Sequence, residues 1–390
     1  MPNTNMVLRG NIVLDDRIVK NGFLQITGEQ ITAVAEDSLP GVISDYSEFL
    51  LVPGFVDIHV HGYADGEAKT LSGIQKMAAF APSCGTTSFC PTLSPVPWEE
   101  LITYLENCAT VIAAPKRQAA KVAGAHLEGP YIVPDCRGGM PEGLLRLPTP
   151  AELTTLLSHA HGHLRMMTLS PEIPGAEWLI PLLVENHCIV SAGHTNCPIT
   201  DFRTKFVPSG ISHVCHLFDT FKQGEVENGV TQTRLVDEVL VNDHVTFEII
   251  PDGIHVPSTL VKLAKRAGGS KRFVGITDAM QGAGLPDGEY SLADGRKYLV
   301  KKDDVCRMPG TDIIVGSGLT MNIAFANLIN RFGFTPSEAT QALSANPARV
   351  IGLDRVGRLA PGYAADITVL EPDTGHVHAC WINGKKVYEG

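Results

Sequence analysis

The chain has 390 residues, is 44% apolar and carries a formal net charge of −11, which suits one large domain with a smaller one attached. The acidic balance speaks against nucleic acid and membrane as partners, since both favour a basic face, although a local pocket can still take an anionic small molecule. No apolar run is long enough to span a bilayer, no secretory pattern follows Met1, and the nine scattered cysteines without a Cys-x-x-Cys suit free, packing thiols in a reducing cytoplasm.

Residues 6–14, 18–27 and 30–34 read as short strands separated by turn residues, and 365–370, 377–382 and 386–388 read alike at the other end. A small β-sandwich domain built from both termini is therefore expected, with 1–54 and 358–390 as its two parts. Between them, at 55–357, short apolar strands alternate with helical stretches, which predicts a parallel sheet. Eight strands are read at 51–60, 86–91, 122–128, 166–170, 189–194, 211–216, 246–250 and 273–278, with helices such as 72–81, 98–113, 177–186 and 258–267 between them. Further helices are read at 317–332 and 336–344. Eight βα units in this length predict a TIM-like (β/α)8 barrel. A doubly wound sheet lacks support, because no Gly-x-Gly-x-x-Gly follows an early strand.

Metal-type residues recur at the C-terminal ends of these strands. They are His59 and His61 after strand one, Glu128 after strand three, His194 after strand five, His216 after strand six and Asp278 after strand eight. In a closed barrel those ends surround one cavity. His59 and His61 lie two apart and so share a strand face. Four imidazoles and two carboxylates in one place can hold one or two divalent ions. Zinc comes first, with iron, manganese and cobalt also suited. Such an ion makes hydroxide available at neutral pH for attack on an amide carbonyl. Asp278 can take the proton of water and return it to the leaving amine. A ring deaminase needs much the same parts, so the ligands alone leave that alternative open; so does an inactive sugar-binding barrel. Other histidines read differently. His126 shares a face with Glu128 and is a supporting partner or a further ligand. His213 faces away from His216, and His159, His161 and His163 fall in a loop at the far end of the barrel.

The motifs together resemble the N-acetylglucosamine-6-phosphate deacetylase family of the amidohydrolase superfamily. The resemblance rests on Pro53-Gly54-Phe55-Val56-Asp57-Ile58-His59-Val60-His61-Gly62, His126-Leu127-Glu128-Gly129-Pro130, Gly193-His194-Thr195-Asn196, His216-Leu217-Phe218, Asp252-Gly253-Ile254-His255-Val256, Thr277-Asp278-Ala279, Gly316-Ser317 and Asn346-Pro347-Ala348-Arg349, in that order. It implies a metal-dependent hydrolase that removes an acetyl group from a small N-acyl amino sugar, usually as a homodimer. It also implies that Glu128, His194 and His216 hold one metal and that His59 and His61 complete a second site.

Three departures from the family pattern bear on the substrate. Gly138-Gly139-Met140 stands where a histidine usually contacts the acyl carbonyl, and methionine cannot donate a hydrogen bond. Asp219-Thr220-Phe221 replaces Asn-Ala-Met, and Glu227 stands at the offset of a phosphate-binding arginine. His255, on the phosphate side in the family, is kept, and Arg234 or Lys222 is near enough in sequence to substitute for the arginine. The residues read as facing the substrate are thus His255, Asp219, Thr220, Met140, Glu227 and Ser317, and the substrate is read as an amino sugar without a phosphate.

Overall fold

The computed structural model of the chain describes residues 6–221, 226–228, 230–292, 294–301 and 304–390. Both chain ends enter one seven-stranded sheet. Its N-terminal strands are Met6–Val13, Ile18–Thr27, Gln30–Ala35 and Val42–Pro53, and its C-terminal strands are Ile367–Leu370, Val377–Ile382 and Lys385–Glu389. The strand Val42–Pro53 joins the two halves. It runs parallel to Met6–Val13 and antiparallel to Ile367–Leu370. One face of the sheet buries Leu8, Leu24, Ile31, Leu51, Val369 and Trp381 among themselves. The other, with Val13, Leu50, Val52 and Leu370, continues into the core of the barrel.

Eight parallel strands form the barrel: Phe55–Val60, Thr86–Leu93, Ala125–Glu128, Leu164–Leu169, Ile189–Ala192, Ile211–Val214, Thr246–Ile249 and Phe273–Gly275. The last strand returns to the first through its C-terminal extension. Ala279 bridges Val60, and the Asp278 amide donates to the His59 carbonyl at 2.9 Å. Buried Asp57 ties the same seam, accepting from the Thr277 hydroxyl at 2.6 Å and the Tyr63 hydroxyl at 2.5 Å. Burial pushes its carboxyl up to about 6. The helices follow from local pattern. Trp98–Ala113 buries Leu101, Leu105 and Cys108 at three- and four-residue steps and carries Glu99 and Glu100 in its first turn, where the helix dipole favours acids. Pro150–Ala160 starts on a Thr149 cap that accepts from the Glu152 amide.

Three readings change. The apolar run 51–60 is two strands in two sheets, divided at Gly54. A Cβ there would lie 2.2 Å from the Thr87 side chain, so the close approach of small domain to barrel requires glycine. We expect Gly54→Ala to destabilise the protein by about 1–3 kcal/mol through overpacking, read as a lowered denaturant midpoint with an unchanged slope. The eighth strand ends at Gly275, so Asp278 lies beyond the ladder. The stretch 317–332 is helical only over Met321–Asn330.

Beyond the eighth strand, an antiparallel hairpin of Gly288–Ser291 and Lys297–Val300 stands over the barrel mouth. Arg296 donates to the Gly139 carbonyl at 2.8 Å, joining the hairpin to the loop that carries Met140. The cavity at this end has a volume of about 400 Å³.

Candidate active site

His61, Glu128, His194, His216 and Asp278 line the floor of this cavity, and fully buried His59 adjoins them. Glu128 is the centre. Its Oε1 lies 3.4 Å from His59 Nε2, 3.2 Å from His194 Nε2 and 3.0 Å from His216 Nε2. Its Oε2 lies 3.5 Å from His61 Nε2 and accepts from the Ser94 hydroxyl at 3.0 Å. Asp278 Oδ1 lies 3.0 Å from His61 Nε2 and 3.5 Å from His59 Nε2. All are largely buried. His194 and Asp278 both adopt a left-handed backbone, with φ of 49°. That conformation costs energy for residues with a side chain and is found where the surroundings hold it. The Ser170 hydroxyl donates to the His194 carbonyl at 2.6 Å, and the Ser317 amide donates to the Asp278 carbonyl at 2.8 Å.

The ring tautomers are set from outside the cavity. His61 Nδ1 faces the Thr92 carbonyl at 3.0 Å, His194 Nδ1 faces the Cys136 carbonyl at 2.8 Å, and His59 Nδ1 faces a Glu248 carboxylate oxygen at 2.9 Å. These oxygens only accept, so each Nδ1 carries the hydrogen and, in the neutral ring, each Nε2 presents a lone pair. Three such lone pairs therefore point at carboxylate oxygens, and His194 Nε2 and His216 Nε2 stand 3.2 Å apart. His59 Nε2 is buried without a hydrogen-bond partner. Lone pairs so arranged repel unless positive charge sits among them, so the donor set fits divalent metal. The electrostatics agree in direction. Burial opposes charge on Glu128, yet the His59, His194 and His216 rings outweigh it and hold its carboxyl well below the usual range. Burial likewise opposes charge on His59 and His216, and the neighbouring acids and Cys215 overcome it and hold both rings well above the ordinary value.

His126 does not join the ligands. Its Nδ1 faces the Ile58 carbonyl at 3.0 Å and its Nε2 the Thr168 hydroxyl at 2.9 Å, which leaves no lone pair for an ion. Burial, then the charge of His59, push it down to about 3, so it stays neutral. His159 pairs with Glu106 at 2.8 Å on the outside of the barrel, away from the cavity. His213 is fully buried, with Nε2 3.1 Å from Glu248. Glu248 is not among the expected site residues, although a lone acid inside the apolar run Phe247-Glu248-Ile249-Ile250 is itself a signal, since such a charge is buried only with partners. Cys215, expected to be a packing thiol, has its sulfur 3.5 Å from His59 Nδ1 and 3.9 Å from Glu128 Oε1.

Of the residues read as facing substrate, Met140, Asp219 and Thr220 line the cavity. Ser317 does not: it is fully buried, and its hydroxyl donates to the Thr277 carbonyl at 2.6 Å and accepts from the Leu319 amide. His255 lies behind the wall, with Nδ1 2.6 Å from Asp252 and Nε2 unpartnered. Arg234 is turned to Asp237, which it grips through two guanidinium nitrogens at 3.1 and 2.6 Å. Lys222 and the side chain of Glu227 lie outside the described residues. The outer wall also carries Lys69, Arg137 and Arg296, and each faces an acid: Glu100 at 3.0 Å, Glu142 at 3.5 Å and Asp294 at 2.6 Å.

Residues 224–387 match the model of the amidohydrolase family. The chain is 32% identical to an N-acetylgalactosamine-6-phosphate deacetylase of Escherichia coli O157:H7 over 93% of each chain. It is 30% identical to an N-acetylglucosamine-6-phosphate deacetylase of Bos taurus, over 98% of this chain and 94% of that one. Among solved structures, the N-acetyl-D-glucosamine-6-phosphate deacetylase of Mycobacterium smegmatis superposes with a TM-score of 0.88 at 28% identity, covering 99% of this chain and 100% of that one.

Proposed function

The chain belongs to the N-acetylglucosamine-6-phosphate deacetylase family of amidohydrolases, and from that premise we propose that it removes the acetyl group of an N-acyl amino sugar whose far end is neutral or cationic. Glu128, His194 and His216 are the residues that would hold one divalent ion, and His59, His61 and Asp278 a second, with zinc as the first choice and iron, manganese or cobalt also suited to imidazole and carboxylate ligands. A divalent ion supplies Lewis acidity toward an amide carbonyl and makes water acidic enough to ionise near pH 7.

The protein's own groups do the rest. Asp278 accepts a proton from the attacking water at its carboxylate as the new C–O bond forms, then delivers it to the amine nitrogen as the C–N bond breaks, so that acetate and the free amino sugar leave. Its Oδ1 stands 3.0 Å from His61 Nε2 and 3.5 Å from His59 Nε2, beside the position the attacking water would take. Met140 offers the acyl group an apolar contact in place of a donor. Acetate release, and no ammonia, separates this reading from a deaminase.

The observation that carries the substrate reading is the charge of the cavity wall. Each of Lys69, Arg137 and Arg296 already faces an acid, Arg234 is held by Asp237, and Asp219 adds a carboxylate at the site. A phosphate needs charge-assisted donors free to converge on it. N-acetylglucosamine and its 6-phosphate, competed in one reaction, should therefore give a kcat/KM at least as high for the sugar without phosphate. A strong preference for the phosphorylated sugar, abolished by Arg234→Ala, overturns the substrate reading and leaves the deacetylase reading intact. We further propose a cytoplasmic homodimer, on the strength of the free thiols and the family.

A further inference from the structure

Behind the metal-type residues lies a second layer of buried polar groups that the reaction above does not use. Glu248, fully buried on the seventh barrel strand, is its centre. Its Oε2 accepts from His59 Nδ1 at 2.9 Å and from the His216 backbone amide at 3.1 Å. Its Oε1 faces His213 Nε2 at 3.1 Å, and His213 Nδ1 in turn faces the Thr246 hydroxyl at 2.7 Å. A carboxylate inside a barrel core is costly unless its oxygens are occupied, and here both are.

We propose that Glu248, braced by His213, is the positioning residue that decides whether the His59–His61 half of the site holds its own metal ion. Glu248 touches the ring of His59 but only the backbone of His216, so its influence falls on one half of the site. By accepting the Nδ1 hydrogen it fixes the tautomer whose Nε2 lone pair enters the cavity, where that atom otherwise has no partner. His61 and His194 receive the same service from carbonyls of Thr92 and Cys136. His59 alone receives it from a full negative charge, which raises the basicity of the ring as a ligand. The Cys215 sulfur, 3.5 Å from the same Nδ1, is the only other group placed to compete for that hydrogen among the described residues, and a thiol is the weaker acceptor. The side chain of Glu248 thus ties together strands one, six and seven at the depth where the two proposed metal positions meet.

This inference rests on the metal reading above, and the test separates the two. The full chain, stripped with a chelator, is titrated with zinc against a chromophoric competitor. Wild type should take two equivalents in two steps. Glu248→Gln keeps the oxygen that His59 and His216 share and turns its amide to His213, so charge changes and shape does not. Its first step should be unchanged and its second weakened by about 10-fold; Glu248→Ala should weaken the second by about 100-fold, the range known for outer partners of metal-bound histidines. In a His59→Asn background, Glu248→Gln should change zinc affinity no further, whereas a merely structural role would cost the same in both backgrounds. If Glu248 variants fail to fold, His213→Asn should still weaken the second step alone, by loosening the carboxylate from behind. Two wild-type steps in Glu248→Gln or in His213→Asn, equal losses in both backgrounds, or a single step in wild type each overturn the role of Glu248. No zinc binding by wild type brings down the metal reading itself.

Discussion

Asp278→Asn should lose turnover by about 10²–10⁴-fold, the usual worth of a positioned general acid–base group, while keeping its fold and most of its metal. Asparagine is nearly isosteric and can still offer an oxygen to the cavity, but its amide cannot accept a proton from water and pass it on. The backbone supports the same separation. Asp278 is held by the His59 carbonyl on one side and the Ser317 amide on the other, and neither contact involves its side chain. Single-turnover acetate release, together with metal content and the circular dichroism spectrum, measures the three effects apart. Near-normal turnover in this variant moves the acid–base role to another group.

His194→Ala and His216→Ala should each lose the ion that these rings share with Glu128 and so lower bound metal sharply. Outer partners of a metal ligand typically account for 10–100-fold in affinity, and removal of a ligand that meets Glu128 Oε1 at 3.2 or 3.0 Å should exceed about 100-fold. In both variants Glu128 keeps its charge but loses one of the rings that hold its carboxyl down. Metal analysis after dialysis, read beside a His159→Ala control on the outside of the barrel, checks the assignment. Unchanged metal content in both variants refutes it.

The positions of the candidate site were legible because barrel geometry converts sequence into space. Each of His59, His61, Glu128, His194, His216 and Asp278 follows a short apolar run, and a closed parallel barrel brings all such ends to one mouth. The terminal strands were legible for a similar reason: alternation and turn residues mark them, so 18–27 and 377–382 were read with the bounds they have. The strand Val42–Pro53 escaped because its first eight residues are exposed or only half buried and carry little periodic signal. Its apolar end merges in sequence with the first barrel strand, and only Gly54, pressed against Thr87, separates them.

What the chain determines by itself is local: the period of its strands and helices, their order, and which chemical groups stand at their ends. Tertiary structure alone decided which of those groups have a lone pair to offer. His126 and His59 look alike in sequence, both near strand ends and both on the face of a proposed ligand. Packing spends both nitrogens of His126 on Ile58 and Thr168, while Glu248, 189 residues from His59, takes one nitrogen of that ring and leaves the other bare. Ser317 faces the core rather than the substrate on the same ground, its hydroxyl being claimed by Thr277 and Leu319. A hydrogen-bonding group can be spent only once, and the partner that spends it is chosen by contacts between distant strands, which no short stretch of sequence contains.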